Sequence, residues 1–127
     1  MSGSVAQPLV QASLVGEAID HGPVAVFVAD EDMRYIAVNE FACSLLGYSR
    51  AELLELRVTD VARGPEAAQD FADVVTKREG AGTVRLTTKT GRELSVSYLA
   101  QATRVAGMAF FVAVTFGSGV AKNGSAG

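Results

Sequence analysis

The side chains able to perform chemistry are few in this sequence of 127 residues, and they form no catalytic pattern. Cys43 is the single cysteine and His21 is the single histidine. A segment with strand character adds the hydroxyl groups of Ser95, Ser97 and Tyr98. A hydroxyl nucleophile needs a neighbouring base, and no second histidine exists to supply one. We therefore predict that the chain is not an enzyme.

The same residues do not predict a metal site. A structural zinc ion takes about four Cys or His ligands, and only Cys43 and His21 are present. Asp30, Glu31 and Asp32 form an acidic run, but a hairpin turn supplies too few converging oxygens for the roughly six to eight that Ca²⁺ takes. We interpret Cys43 as a small core residue, His21 as a solvent-facing or capping residue, and the acidic run as an ordinary turn.

Composition narrows the class of protein further. Apolar residues make up 49% of the chain and charged residues 20%, so one domain with a real core is expected. The net charge of -3 and the scattered basic residues give no basis for direct nucleic-acid binding. No apolar run approaches the roughly 18 residues that span a bilayer, and the start of the chain lacks signal-peptide features. We expect a cytoplasmic protein that does not contact the membrane.

The clearest secondary-structure pattern lies near the start of the chain. Residues 24–29 form a short apolar run that predicts a strand, residues 30–33 a turn, and residues 34–38 the returning strand. Asn39 is a good cap for the helix that follows, because its side chain can accept a bond from an unpaired backbone N–H. Gly47 is suited to end that helix, because glycine adopts positive φ without strain.

Further helices are predicted on both sides of this segment. A helix over residues 9–20 ends at a His-Gly-Pro breaker, and Ser49 with Glu52 forms a capping box. The longest helix is predicted over residues 65–79, closed by Gly80 and Gly82. Its inward stripe is predicted to comprise Ala68, Phe71, Ala72 and Val75.

Three strands are predicted to follow, over residues 83–88, 93–102 and 108–116. The element order favours an α+β fold: a five-stranded antiparallel sheet with helices on one face and an N-terminal helix flanking it. The predicted organisation is a disordered N-terminus at 1–8, an amphipathic helix at 9–22, a single domain at 23–117 and a flexible tail at 118–127.

Two long segments resemble the PAS domain family. The segment FVADEDMRYIAVNEFACSLLGYSRAELLEL resembles the opening half of a PAS domain, and VRLTTKTGRELSVSYLAQATRVAGMAFFVAVTF resembles the closing hairpin and strands. The resemblance covers roughly residues 10–117. Met33 departs from it, because the family usually has glycine there; a non-glycine residue implies either strained positive φ or another turn type.

The resemblance implies a sensory and dimerisation module of a signal-transduction or transcription-regulatory protein. Such modules pass their state to an effector domain or a partner signalling protein, such as a kinase, a cyclase or a transcription regulator. Flavin-binding relatives of the light-oxygen-voltage type use a cysteine in an Asn-Cys-Arg-Phe-Leu-Gln segment, which is absent here. Haem-binding relatives commonly use a histidine on the long helix, and residues 65–79 contain none. We therefore expect no cofactor, neither haem nor flavin.

A cavity between sheet and helices is the remaining candidate site. The residues expected to line it are Val28, Leu46, Phe71, Val75, Leu86, Tyr98 and Phe110. An apolar cavity of this kind favours a small lipid-like or aromatic ligand. Two alternatives stay open: the side chains fill the space in a ligand-free interaction scaffold, or the fold is a cone-shaped isomerase or hydratase. The enzyme would need a buried carboxylate beside a donor such as Tyr98, and the acidic residues are all predicted in turns, caps or wet helix faces.

The last predicted strand is apolar on both faces, which leaves the outer face of the sheet without an obvious cover. In residues 108–116, two interleaved apolar sets alternate along the strand. The N-terminal helix and a second copy of the domain are the two candidate covers. We predict a homodimer formed by the N-terminal helix and the outer sheet face.

Overall fold

The computed structural model describes residues 8–63 and 65–116. The helices are α1 (Pro8–Asp20), α2 (Glu40–Leu46), α3 (Arg50–Leu53), α4 (Val58–Val61) and α5 (Pro65–Lys77). The strands are β1 (Ala25–Ala29), β2 (Tyr35–Val38), β3 (Glu79–Thr87), β4 (Glu93–Val105) and β5 (Met108–Phe116). Of the termini predicted to be disordered or flexible, residues 1–7 and 118–127 lie outside the described part of the chain.

The five strands form one antiparallel sheet in the order β2-β1-β5-β4-β3. Strand β5 therefore lies at the centre, between β1 and β4, although it comes last in the chain. The predicted α+β class with a five-stranded antiparallel sheet is confirmed. The central position of β5 satisfies its backbone hydrogen bonds along both edges, whereas burial of its two faces depends on what packs above and below the sheet.

Asn39 joins three elements at the start of the first core helix. Its Oδ1 accepts hydrogen bonds from the backbone N–H of Ala42, at 3.0 Å, and of Val26, at 2.9 Å. Its Nδ2 donates to the carbonyl oxygens of Ile19, at 2.7 Å, and Val24, at 2.8 Å. The side chain thus caps α2, as predicted, and also ties α2 to β1 and to the end of α1.

The other predicted helix signals are also present. Gly47 has φ 81° and ends α2 in the left-handed conformation. Ser49 Oγ accepts from the N–H of Glu52, and the Glu52 carboxylate accepts from the N–H of Ser49, which completes the capping box. These signals are local, so the sequence alone was enough to place them.

The hairpin turn between β1 and β2 carries a strained residue. Met33 has φ 68°, in the left-handed region, so the first of the two predicted alternatives holds. Asp30 Oδ1 accepts from the N–H groups of Asp32, at 2.8 Å, and Arg34, at 3.0 Å. These bonds hold the turn in place and offset the strain at Met33.

The end of α5 differs from the prediction. The helix ends at Lys77 rather than at residue 79, and Gly80 and Gly82 lie inside β3 instead of closing the helix. A Cβ atom on Gly80 would lie 2.8 Å from Cγ2 of Val74. A Cβ atom on Gly82 would lie 3.5 Å from Cε1 of Tyr98. The two glycines therefore let helix and tyrosine ring approach the strand, which periodicity does not reveal.

The inward stripe of α5 agrees with the prediction at Phe71, which packs on Phe111 of the sheet, and differs from it at Ala72 and Val75; the side chain of Ala68 lies outside the described part of the chain. Ala67 and Val74 are buried, whereas Ala72 is exposed and Val75 is 47% exposed. Residues separated by seven positions share a helix face, and each single step rotates the side chain by roughly 100°. Val74 rather than Val75 therefore packs on the sheet.

Candidate ligand cavity

A cavity of about 110 Å³ lies between the inner face of the sheet and helices α4 and α5. All five strands contribute to its floor and walls, and the helices with the residue after α4 close it from above. The lining residues are Phe27, Ala29, Tyr35, Val58, Ala62, Ala67, Asp70, Phe71, Val74, Val84, Leu86, Tyr98, Ala100, Phe111, Ala113 and Thr115.

Alanine residues at the centre of the sheet create this space. Ala113 of β5 is paired with Ala100 of β4 on one side and with Phe27 of β1 on the other. Ala62 and Ala67 line the opposite, helical side. Short side chains on both sides leave a hollow that larger apolar residues would fill.

Aromatic rings form one end of the cavity. Phe71 of α5 meets Phe111 of β5 edge-on, with the ring centroids 5.1 Å apart. Phe27 and Tyr35 lie 5.4 Å apart with tilted rings. Burial raises the pKa of the Tyr35 phenol, and the nearby Asp60 charge raises it further, so this group stays neutral at physiological pH.

The cavity lining also contains side chains with polar groups, among them Thr115 and Tyr98. Thr115 of β5 is paired with Tyr98 of β4 and is only 5% exposed. Its Oγ1 is buried and has no hydrogen-bond partner among the described residues. Burial raises the pKa of Tyr98, with smaller contributions in the same direction from the Asp70 and Asp73 charges. The cavity wall thus includes a neutral phenol, whose ring lies beside Gly82 of β3, and an unsatisfied hydroxyl on β5.

The structure places the seven predicted cavity residues in different surroundings. Three of them line the cavity: Phe71, Leu86 and Tyr98. Val28 and Phe110 are each one residue away from a lining position, because side chains alternate along a strand and Phe27, Ala29 and Phe111 occupy the inner face.

The other two predicted residues are also outside the lining. Leu46 is fully buried within the core cluster around α2, but it does not reach the cavity. Val75 faces away from the sheet, because one step along α5 rotates its side chain by roughly 100° from that of the buried Val74. Thr115, Ala113 and Asp70 line the cavity without having been predicted to; residues alternate along β5, but both of its faces are apolar and the sequence does not indicate which one is inner.

The other candidate residues lie outside the cavity lining. His21 Nδ1 is 2.9 Å from Oε1 of Glu40, and both side chains are exposed. Cys43 is partly buried; burial raises the pKa of its thiol, which favours the protonated, unreactive form. Across residues 8–63 and 65–116, no group of three His, Cys, Asp or Glu side chains could hold a metal ion.

No element of residues 8–63 and 65–116 covers the outer face of the sheet. No residue of α1 is buried, and Leu9 is 83% exposed. On the outer face Leu99 is 55% exposed, and Ile36 and Phe116 are exposed as well. The end of α1 is anchored, because Asp20 pairs with Arg50. Of the two covers predicted for this face, α1 of the same chain therefore does not act as one.

Comparison with known proteins identifies the class of this fold. A five-stranded antiparallel sheet with helices packed on one face is the fold of a PAS domain, and the model of the PAS domain family matches residues 23–116. The chain belongs to the PAS domain family. None of the curated proteins compared with the chain matches it.

Solved structures agree on the fold. A PAS domain from a two-component sensor histidine kinase superposes with a TM-score of 0.76 at 19% identity, covering 87% of this chain and 98% of that one. A domain of a sensory box sensor histidine kinase/response regulator from Geobacter sulfurreducens gives 0.73 at 23% identity, covering 87% and 97%. A LOV protein from Rhodobacter sphaeroides gives 0.66 at 18% identity, covering 87% and 68%. In the described part of this chain, no helix is long and apolar enough to span a bilayer.

Proposed function

We propose that this PAS domain is a non-enzymatic sensory and dimerisation module that binds a small, largely apolar ligand in its cavity. The observation that carries the proposal is the alanine-lined hollow above Ala100 and Ala113, with an unsatisfied hydroxyl at Thr115. A hollow that served packing alone would be expected to contain neither space nor an unpaired buried oxygen. The binding of a ligand in the cavity is then transmitted to an effector domain or a partner signalling protein.

The sheet offers a direct route from the cavity to the outer surface. On β5, Ala113 faces the cavity, whereas Val112 and Val114 belong to the opposite face. A ligand that shifts the floor of the cavity therefore shifts the outer face on the same strand. This arrangement links occupancy to whatever binds that face.

We infer that a second copy of the chain covers the outer face. The support is that two apolar surfaces are exposed together: the outer face around Ile36, Leu99 and Phe116, and helix α1 with Leu9 and Leu14. Exposed contiguous apolar surface on a soluble domain usually marks an interface. In a homodimer, α1 of one copy packs on the outer face of the other.

Sedimentation velocity tests the dimer. The expected result is a concentration-dependent equilibrium between monomer and dimer that Leu99→Glu shifts at least about tenfold toward monomer, because a buried unpaired charge is costly. Leu54→Glu is the matched control, since Leu54 is an exposed leucine on the helical side after α3. A chain that stays monomeric at every concentration contradicts the dimer.

Mass spectrometry of molecules released from the purified, denatured chain tests ligand binding. The expected result is a copurified small molecule in the wild type that is absent from Ala113→Leu, in which the leucine fills the hollow. Absence of any such molecule from the wild type favours the ligand-free scaffold instead.

An absorption spectrum tests the absence of haem and flavin. A colourless sample is expected, because about 110 Å³ is much smaller than the roughly 300–1,000 Å³ of cavities for drug-sized ligands. A Soret or flavin band contradicts this part of the proposal.

A further inference from the structure

We propose that the cavity selects a compact, neutral, single-ring molecule with one hydroxyl or N–H group, and that Thr115 Oγ1 is the partner of that group. The inference rests on the proposed ligand binding and specifies the class of ligand. Three features of the cavity carry it: volume, polarity along its length and the sign of the nearby charge.

Volume limits the ligand to one ring. The cavity measures about 110 Å³. An engineered apolar cavity of about 150 Å³ in another protein binds benzene. A ligand of roughly six to eight non-hydrogen atoms fits a space of this order, and a fused multi-ring cofactor does not.

The order of side chains along the sheet gives the ligand two different ends. On β5 the inner face runs from Phe111, which contacts Phe71, through Ala113 to Thr115. Thr115 lies between Ala25 of β1 and Tyr98 of β4. The ring of the ligand therefore sits over the alanine floor, toward the phenylalanines, and its polar group faces Thr115.

The unpaired hydroxyl of Thr115 indicates that the ligand carries a hydrogen-bonding group. The residue is 5% exposed and its Oγ1 has no partner among the described residues. A buried unsatisfied hydroxyl is unfavourable, and a ligand group that bonds to it removes that penalty on binding. A purely apolar ligand would leave the penalty in place.

Charge near this end argues against an acidic ligand. Asp70 lines the cavity, and both Asp70 and Asp73 are close enough to Tyr98 to disfavour its ionisation. A carboxylate bound in the cavity would meet the negative field of Asp70, which lines the same space. A neutral hydroxyl or N–H group instead suits an environment rich in acceptors.

Titration of the ¹⁵N-labelled, ligand-stripped full chain with phenol, toluene and benzoate tests the inference, with amide chemical shifts as the readout. Phenol is expected to bind about tenfold more tightly than toluene, which corresponds to about one satisfied hydrogen bond. Benzoate is expected to bind at least about tenfold more weakly than phenol, because its charge is desolvated beside Asp70. Shifts are expected at Ala100, Ala113 and Thr115.

Thr115→Val separates the hydrogen bond from packing. In this variant the preference is expected to reverse: toluene binds as it does to the wild type, and phenol binds more weakly than toluene, because its hydroxyl is then buried without a partner. Thr103→Val is the matched control, because Thr103 is exposed and lies on the outer-face side of β4. Near-ultraviolet circular dichroism confirms that each variant is folded. Should Thr115→Val not fold, Thr115→Ser supplies the second test: it keeps the hydroxyl and must keep the preference for phenol.

Two results would overturn the inference. One of them contradicts the ligand class alone, and the other also contradicts the proposed function. Equal binding of phenol and toluene to the wild type, or a larger or acidic molecule found in the purified chain, overturns the ligand class and leaves the proposed function standing. No binding of any probe, together with no copurified molecule, overturns both.

Discussion

The unpaired hydroxyl of Thr115 leads to an unusual expectation: its removal should stabilise the ligand-free domain. A buried hydroxyl without a hydrogen bond costs about 1–3 kcal/mol. In Thr115→Val a methyl group replaces the hydroxyl, and its burial contributes about 0.8 kcal/mol. We expect the free energy of unfolding to rise by about 1–3 kcal/mol, because the residue is 5% exposed and Oγ1 has no partner among the described residues.

Urea denaturation followed by far-ultraviolet circular dichroism measures this change on ligand-stripped protein. The midpoint should rise at constant m-value, since the surface exposed on unfolding is unchanged. In a thermal melt each kcal/mol corresponds to a rise of about 4 °C or more in Tm for a domain of this size. Thr103→Val, on the exposed side of β4, should change stability by less than about 0.5 kcal/mol.

Bound phenol should reverse part of the difference. Saturating ligand stabilises the native state by RT ln(1 + [L]/Kd), and the wild type binds phenol more tightly than the variant. The advantage of Thr115→Val in the free protein should therefore shrink as phenol is added. A variant that is less stable than the wild type without ligand refutes the reasoning, because the hydroxyl must then already have a partner.

Three further substitutions test how the fold positions the cavity. Asn39→Ala should destabilise the domain by about 2 kcal/mol or more in urea, because it removes the α2 cap and the bonds to β1 and α1; Asn39→Asp, which keeps the Oδ1 acceptor, should lose less. Met33→Gly should stabilise by about 1 kcal/mol, since glycine accepts φ 68° without strain; an unchanged Tm would contradict this. Val74→Ala should cost about 1–3 kcal/mol and Val75→Ala less than about 1 kcal/mol, and equal costs would contradict the assigned face of α5.

Local rules were sufficient for much of this fold. Asn39, Gly47 and the pair Ser49 and Glu52 each act on their own backbone neighbours, so their roles follow from residue type and spacing alone. Strand β5 was also predicted with its observed bounds, Met108–Phe116, because apolar runs of that length favour strands. The turn at Met33 was predicted to be irregular for the same local reason.

The residues that line the cavity could not be predicted from local sequence, because contacts between distant segments decide which side chains face inward. Which face of β5 points inward is set by pairing with β1 and β4, and both faces are apolar, so Phe110 and Phe111 were interchangeable in the sequence. The same holds for Val74 and Val75, adjacent valines whose difference arises only when α5 packs on the sheet. Gly80 looked like a helix terminator, but its function is to admit Val74 against β3.

The central position of β5 connects the cavity with the outer face of the sheet. A last strand inserted between β1 and β4 contributes Phe111, Ala113 and Thr115 to the cavity and Val112 and Val114 to the outer face. Ala113 in the cavity floor therefore lies one residue from each of the two half-buried valines on the outer face. Close packing makes such a strand hard to deform at one residue alone, so displacement by a ligand is shared with the residues on the other face. Under the proposed function, a ligand bound in the small cavity therefore also alters the outer face of the sheet.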